Sequence, residues 1–497
     1  MNNEFGIRFN GAYRSGDGPF DDNEVEHGLP TIALDYRGDR VRASVDVGHQ
    51  NSNLDGVTNL LSPLTFSPLP APPDAGKNFL PSWNYTDTEN LFWIAQGEVD
   101  LAENVTAYAS IGGMNSKNRY ALAYPLINDT AGNWIGYGYG GASETETRAA
   151  QAGLRGWVHT GPIKHSLNLN VSQAEQEEAS SDAYIDFIGS WNIYSPANIP
   201  NPNLDVDAGP AFSTQSKRAS VGISDTLSLL DEQIQFTAGV RRQKVESSSP
   251  TSSYEEYAWS PAYALVIKPW ANVSLYANYI EGLQEGIVVG SGFSNSGQIF
   301  PPYHSKQYEA GVKIDWGRIT SMVSAFEISR PNTIRIPTSP PTLALDGEQV
   351  NRGIEINVFG ELTKGTRILG GITFFDARQA KTQGGTNDGK KVTDIPDFNF
   401  VLGAEYDLPM VPGVTLTGRV NRVDETYLDP GNVITVPAWT RLDLGARYTF
   451  VAPWNDKPAT LRLNVENVLD NDYWVNRGGA YSIAPPRTYL VSLTSNF

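Results

Sequence analysis

Along most of the chain, apolar and polar residues alternate with a period of two, the signature of strands that show a different environment on each face. Phe5, Ile7, Phe9 and Tyr13 share one parity across residues 4–14, while Arg8, Asn10 and Arg14 share the other. Ile32, Leu34 and Tyr36 repeat the pattern, the turn Arg37-Gly38-Asp39-Arg40 reverses the chain, and Val41, Ala43, Val45 and Val47 resume it. Near the end, Arg441, Asp443 and Arg447 alternate with Leu442, Leu444 and Tyr448. Arg462, Asn464 and Glu466 likewise alternate with Leu461, Leu463 and Val465. In the last run Tyr489, Val491, Leu493 and Phe497 oppose Thr488, Ser492, Thr494 and Asn496.

Between these runs, short turns and long loops alternate without a break. After the polar loop 15–28 and a Pro-, Asn- and Ser-rich loop at 51–90, strands are expected near 91–100 and 105–113, joined at Leu101–Asn104. Loop 114–146 precedes strands near 147–158 and 164–173, which meet at His159–Pro162; loop 174–211 precedes strands near 213–228 and 234–245, which meet at Leu230–Gln233. Further pairs are expected near 254–267 and 272–281 (turn Lys268–Ala271), 304–315 and 319–329 (Trp316–Arg318), and 350–361 and 366–377 (Thr363–Gly365). Two more lie near 397–408 and 414–424 (Pro412-Gly413) and near 436–450 and 460–468 (Asn455-Asp456), before a final strand over Arg487–Phe497. This makes about twenty strands.

The faces decide the architecture. No apolar run approaches the roughly 20 residues of a transmembrane helix, yet the apolar parity is continuous from strand to strand. A sheet in lipid must close on itself to satisfy its backbone, with apolar residues outward and polar residues around a wet lumen. A soluble sandwich or propeller also alternates, but neither has the long/short rhythm of connections, and no blade-length repeat is present. The expected fold class is therefore all-β, a transmembrane antiparallel β-barrel with long extracellular loops and short periplasmic turns. Composition fits: aromatics make up 11% and glycine 47 of the 497 residues, enough for interfacial girdles and tight turns. A net charge of −18 argues against a nucleic-acid partner. Cysteine is absent and the five histidines are scattered, so no thiolate chemistry or HExxH-type metal site is available. No GxSxG, P-loop or dinucleotide fingerprint sits in a strand–helix context, so neither an enzyme nor a cofactor is expected. The N-terminus MNNEFGIRFNGAYR lacks the basic and apolar regions of a signal peptide.

The C-terminal block, Asn467-Val468-Leu469-Asp470, Tyr473 and Pro486-Arg487-Thr488-Tyr489 before a terminal Phe, resembles the TonB-dependent outer-membrane receptors. Internal segments are similar to the siderophore-receptor branch, with a ferrichrome or hydroxamate look. They are Asp225-Thr226-Leu227-Ser228, Gly239-Val240-Arg241, Ser274–Tyr279 with Glu281-Gly282, Ser305–Lys313 and Asn351–Glu355. The resemblance implies a cell outer membrane of Gram-negative type, contact with its lipid, a ferric siderophore as cargo (the only iron involved), a monomer, and uptake driven by a TonB–ExbB–ExbD complex. It also implies 22 strands and a plug domain. Residues 1–497 are expected to hold the barrel domain alone, with the first two strands, the plug and its TonB box missing. Ser495 stands where an apolar residue is more usual. With twenty strands, either a narrower barrel closes or a gap remains between residues 4–14 and 487–497. The alternative to a transport receptor is a passive pore or a non-functional fragment of one.

An iron chelate captured at the extracellular mouth needs aromatic walls and a few hydrogen-bond donors. The candidates are extracellular-loop aromatics: Trp83, Tyr85, Trp134, Tyr137, Tyr139, Trp191, Tyr194 and Tyr303, with Phe293 beside the last. Each is also readable as a headgroup-level girdle residue or as loop packing. Tyr137 and Tyr139 stand out because Gly136, Gly138 and Gly140 leave their rings little local competition. The carboxylate pairs Glu177-Glu178 and Glu255-Glu256 are read as solvated charges rather than acid/base or Ca²⁺ sites.

Overall fold

In the computed structural model, the described residues are 4–496 apart from 59, 64–67, 205, 207–211, 251, 285 and 291, so the expectation placed on Phe497 lies outside them. Twenty long strands form one sheet. We number them β1 (Phe5–Asp17), β2 (Glu24–Arg37), β3 (Val41–Asp55), β4 (Tyr85–Ala102), β5 (Val105–Ile127), β6 (Asn133–Thr160), β7 (Ile163–Asn192), β8 (Phe212–Leu229), β9 (Ile234–Ser249) and β10 (Ser252–Trp270). The second half comprises β11 (Val273–Gln284), β12 (Tyr303–Asp315), β13 (Ile319–Ile336), β14 (Thr342–Thr363), β15 (Thr366–Lys381), β16 (Phe398–Asp407), β17 (Val414–Val423), β18 (Trp439–Val451), β19 (Pro458–Glu466) and β20 (Thr488–Ser495). Each pairs antiparallel with its neighbours in sequence, an up-and-down meander. Among the described residues, β1 has a ladder only to β2 and β20 only to β19. Of the two arrangements the sequence allowed, the described residues show the gap.

The nine short turns fall where the alternation breaks, because there the two strands must reverse within a few residues. The turn between β16 and β17 depends on Gly413. Its φ is +86°, and a Cβ there would lie 2.4 Å from the Thr449 carbonyl oxygen. Thr449 N–H in turn donates to Gly413 O at 2.8 Å, tying the turn to β18. Gly413→Ala is expected to cost more than about 1 kcal/mol, since the positive φ and the close approach both oppose a side chain. A lowered urea midpoint for loss of the compact band on unheated gels would show it; an unchanged midpoint would mean that the turn rearranges freely.

At the opposite end the structure departs from the sequence reading. The stretch expected as a loop at 114–146 is mostly strand, since β5 and β6 continue to a turn at 128–132, and the first half of the one expected at 174–211 is strand too, since β7 runs on to Asn192. A barrel strand crosses a bilayer in about 9–11 residues. The 28 residues of β6 and 30 of β7 therefore project well beyond lipid. The loop expected at 51–90 narrows to 56–84, because β3 and β4 pair from Asp55↔Tyr85 downward.

The two parities separate as expected. Outward-facing Ile7, Leu34, Val45, Trp93, Leu154, Leu169, Ile223, Leu444 and Leu463 are exposed, as lipid contact requires. The opposite parity carries cross-strand ion pairs. Ser495, the unusual residue of the last strand, accepts a hydrogen bond from Trp454 Nε1 at 3.2 Å.

Candidate ligand site at the barrel mouth

The inner wall on β3–β6 is polar from the short turns to the loop ends. At the turn end Arg42 donates to both oxygens of Asp100 (2.7 Å each) and to Glu98 (3.1 Å). Arg155 donates to Glu98 at 2.7 Å and Thr106 to Asp100 at 2.8 Å. A second network, on β15–β19, links Arg367 to Glu405 and Asp407, Arg447 to Glu405, and Asp443 to Arg419 and Arg441. Every carboxylate in these networks meets a guanidinium, so each acts as a cross-strand staple rather than as a free reactive group. Among the described residues, no group of three or more His, Asp or Glu is placed to hold a metal ion.

Further up the same parity, β5 and β6 bring phenols together. Tyr120 donates to Tyr139 Oη at 2.7 Å, with ring centroids 5.1 Å apart. Tyr137 lies two residues from Tyr139, and its ring meets Phe187 edge-on at 6.5 Å. Tyr124 continues the column and shares a hydrogen bond with Ser62 Oγ at 2.8 Å. The intervening glycines face the other way. A Cβ on Gly140 would meet Leu204 and Val206 at 3.0 Å, and one on Gly136 would meet the Trp134 ring at 2.7 Å. Glycine thus lets Leu204, Val206 and two indoles approach one side of β6, which leaves the tyrosines on the opposite side. The alternation Gly-Tyr-Gly-Tyr-Gly is a division of labour between packing and surface.

The other expected site residues divide sharply. Trp134 is fully buried, its ring tilted against that of Trp191 with centroids 5.1 Å apart. Trp134 belongs to an apolar cluster with Leu61, Phe79, Ile127, Ile193, Ile199, Trp474 and Tyr481, against which Trp191 packs. Trp83 Nε1 donates to Ile199 O at 3.1 Å, and Tyr194 Oη to Ala71 O at 2.7 Å, so both tie loops together; partial burial pushes the Tyr194 phenol pKa up. Tyr303 sits in a second cluster with Val289 and Phe300, against which Phe293 packs. Tyr85 opens β4 opposite Asp55 and Ala121, on the parity opposite Thr86 and Thr88. The expectation of loop aromatics is corrected for six of the eight: Tyr85, Trp134, Tyr137, Tyr139, Trp191 and Tyr303 lie in strands, and only Trp83 and Tyr194 lie in loops. Tyr120, Tyr124 and Phe187 were not foreseen. The signal for the first two is the alternation Tyr120, Leu122, Tyr124, inside a stretch whose polar flanks read as loop.

The tip between β5 and β6 is held by Asp129, which accepts from Asn133 Nδ2 (2.8 Å) and from the backbone N–H groups of Asn133 and Ala131 (3.1 and 3.0 Å). These donors hold its carboxyl below the usual carboxylate range, the Asn133 side chain first. The cluster also spans the gap below it. Leu61 and Tyr481 exchange two backbone hydrogen bonds (2.8 and 3.0 Å), and Trp474 Nε1 donates to Pro70 O at 2.7 Å. The loop after β3 is thereby joined to the loop after β19, although β1 and β20 do not pair among the described residues.

A family model described as TonB dependent receptor-like, beta-barrel, matches residues 16–468. The chain belongs to the TonB-dependent receptors. Ferrichrome receptor FcuA of Yersinia enterocolitica is 34% identical over 99% of this chain and 67% of its own length. Metal-pseudopaline receptor CntO of Pseudomonas aeruginosa is 27% identical over 70% of this chain and 51% of its own. The crystal structure of BauA, the ferric preacinetobactin receptor from Acinetobacter baumannii, superposes with a TM-score of 0.91 at 33% identity, covering 99% of this chain and 75% of that one. The chain thus spans between half and three quarters of these relatives. As a TonB-dependent receptor barrel it belongs to the outer membrane, in a family of transport proteins rather than enzymes. The Asn467–Asp470 motif has a structural task in it: buried Asn467 caps the loop that follows by accepting from Asn471 N–H at 3.2 Å, and Asp470 pairs with Arg487.

Proposed function

We propose that residues 1–497 act as the barrel domain of a receptor that takes up a ferric siderophore of the hydroxamate, ferrichrome-like class, with import driven through TonB–ExbB–ExbD. The observation that carries this reading is the phenol face of Tyr120, Tyr137 and Tyr139, on the side of β5 and β6 opposite the buried loop cluster, in two strands longer than a membrane crossing needs. Aromatic faces cover the apolar perimeter of a wrapped chelate, and phenolic hydroxyls donate to its carbonyl and hydroxamate oxygens. The 34% identity to a ferrichrome receptor supports the same class.

The test is quenching of intrinsic fluorescence by ferrichrome, by a catecholate chelate and by vitamin B12, using the full-length receptor in detergent. Ferrichrome is expected to bind most tightly. Tyr139→Ala should weaken it roughly 10- to 100-fold, the range of an aromatic anchor residue. Tyr120→Phe should cost less than about tenfold, because it removes one hydroxyl and keeps the ring. Preference for vitamin B12 or a catecholate would sink the hydroxamate assignment. Unrestricted sugar flux through the full-length receptor in a liposome-swelling assay, without chelate binding, would instead favour the passive-pore alternative.

A further inference from the structure

Two phenols of β5 and β6 meet on a diagonal of the ladder. Tyr120 stands opposite Gly141, and Tyr139 stands opposite Leu122. Glycine at 141 puts no side chain across from Tyr120, which leaves Tyr139 as the neighbour its ring reaches. The ring centroids are 5.1 Å apart, but the hydroxyl oxygens are only 2.7 Å apart. The rings, 33° from parallel, therefore converge at their oxygens, which sit side by side. Both residues are half-buried rather than sealed inside the loop cluster. On the same face Tyr124 stands opposite Tyr137, whose ring meets Phe187 edge-on.

That spacing matches a coordination shell. A small, hard cation in an octahedral shell holds oxygen ligands at about 2.0 Å, which puts adjacent ones about 2.8 Å apart. The pair presents two oxygens at that separation before any metal arrives, so little rearrangement is needed to bind one. Phenolate oxygen is a hard donor suited to ferric iron, and tyrosine is one of the side chains that ligate iron in haem proteins. A chelate that already fills all six positions of its iron cannot use this arrangement. It meets a pair in which Tyr120 has committed its proton to Tyr139, so at most the Tyr139 proton is left to donate outward. Among the described residues no group of three His, Asp or Glu is placed to hold iron, so the chelate itself has to supply the remaining four positions.

We propose that Tyr120 and Tyr139 ligate the iron itself in a ferric chelate that leaves two adjacent positions open, such as the one-to-one complex of a linear dihydroxamate. This rests on the chelate site proposed above and widens its cargo from hexadentate to tetradentate hydroxamates. In the exchange two waters leave the iron and two iron–phenolate bonds form; both phenol protons pass to solvent, and the iron stays ferric. The test sets the ferric dihydroxamate complex beside ferrichrome on the full-length receptor in detergent. Bound ferric dihydroxamate should show resonance Raman bands of an iron-bound phenolate and release protons, read by calorimetry in buffers of different ionisation heat; ferrichrome should do neither. Tyr120→Phe and Tyr139→Phe, which keep the rings, should each weaken the dihydroxamate complex about 100-fold or more, above what a partner outside the coordination shell is worth, and ferrichrome less than about tenfold. The double variant should lose the phenolate bands. Ferrichrome binding with dihydroxamate bound without those bands, or not bound at all, would overturn the inference and leave the hydroxamate reading standing. Binding of neither chelate would remove both. Phenolate bands that persist in the double variant would put the iron on other phenols and overturn the assignment.

Discussion

Trp134→Ala is expected to unfasten the loops over the mouth while leaving the barrel wall folded. The indole is fully buried and touches Trp191, and the strand beneath it is glycine at 136 because a Cβ there would strike its ring at 2.7 Å. Truncation therefore leaves a cavity with nothing nearby to fill it, at a cost of about 3–5 kcal/mol for a large aromatic. That cost falls on the cluster rather than on the wall. The wall is held by continuous ladders such as the one between β5 and β6, whereas the loops are held mainly by apolar contact and a few bonds such as Leu61 to Tyr481. Protease should then cut within residues 193–206 at least tenfold faster, as a loss of about 1.4 kcal/mol or more of local stability implies. The band on unheated gels should remain compact. Trp134→Phe should cut little faster than wild type, since it keeps most of the volume and the indole nitrogen finds no protein acceptor. Loss of the compact band in Trp134→Ala would show instead that loops and wall fold as one unit.

The twenty strands were legible because lipid imposes a rule on every second residue, and the nine short turns because they interrupt it. The rule lapses where lipid ends. Ser143–Glu146 and Glu175–Glu178 are polar on both parities, yet their ladder continues unbroken, Ser143↔Ser180 to Glu146↔Glu177. Hydrogen bonding needs no alternation once both faces are wet, so these strands read as loops. The site was half legible for a related reason. Alternation with glycine singled out Tyr137 and Tyr139, but their partner Tyr120 comes from across a hairpin whose register the sequence does not show. Trp83, Trp134, Trp191 and Tyr194 have the chemistry of a ligand wall, and the structure engages them in packing and in ties between loops. Which side of β6 carries the loop decides between the two, and that is settled by contacts such as Gly140 with Leu204, far apart in sequence.

Asp443→Ala is expected to destabilise the closing end of the barrel more than any other single change in the inner wall. Its carboxylate, only 10% exposed, accepts from Arg419 at 2.7 Å, from Arg441 at 2.7 Å, and from the Asn467 backbone N–H at 2.9 Å. The last contact matters most for the terminal motif. Asn467 is 1% exposed with φ of +50°, and its own side chain caps the loop that returns the chain to β20. Removing the carboxylate strips that N–H of its acceptor and leaves Arg441 with Glu466 alone, at 2.8 Å. Breaking a fully buried pair costs about 3–5 kcal/mol; because Arg419 is 48% exposed to a wet lumen, a loss of about 2–3 kcal/mol is the better expectation. Asp443→Asn should recover roughly 1 kcal/mol of it, since an amide oxygen still serves Asn467 N–H while its NH₂ faces a guanidinium. The measurement is the urea midpoint of the refolded protein, with amide exchange over 467–487 alongside. If exchange there rises in Asp443→Ala but not in Arg419→Ala, the aspartate's main task is to anchor the returning loop. If neither the midpoint nor the exchange moves, the ion pairs of the inner wall are too well hydrated to hold its strands together.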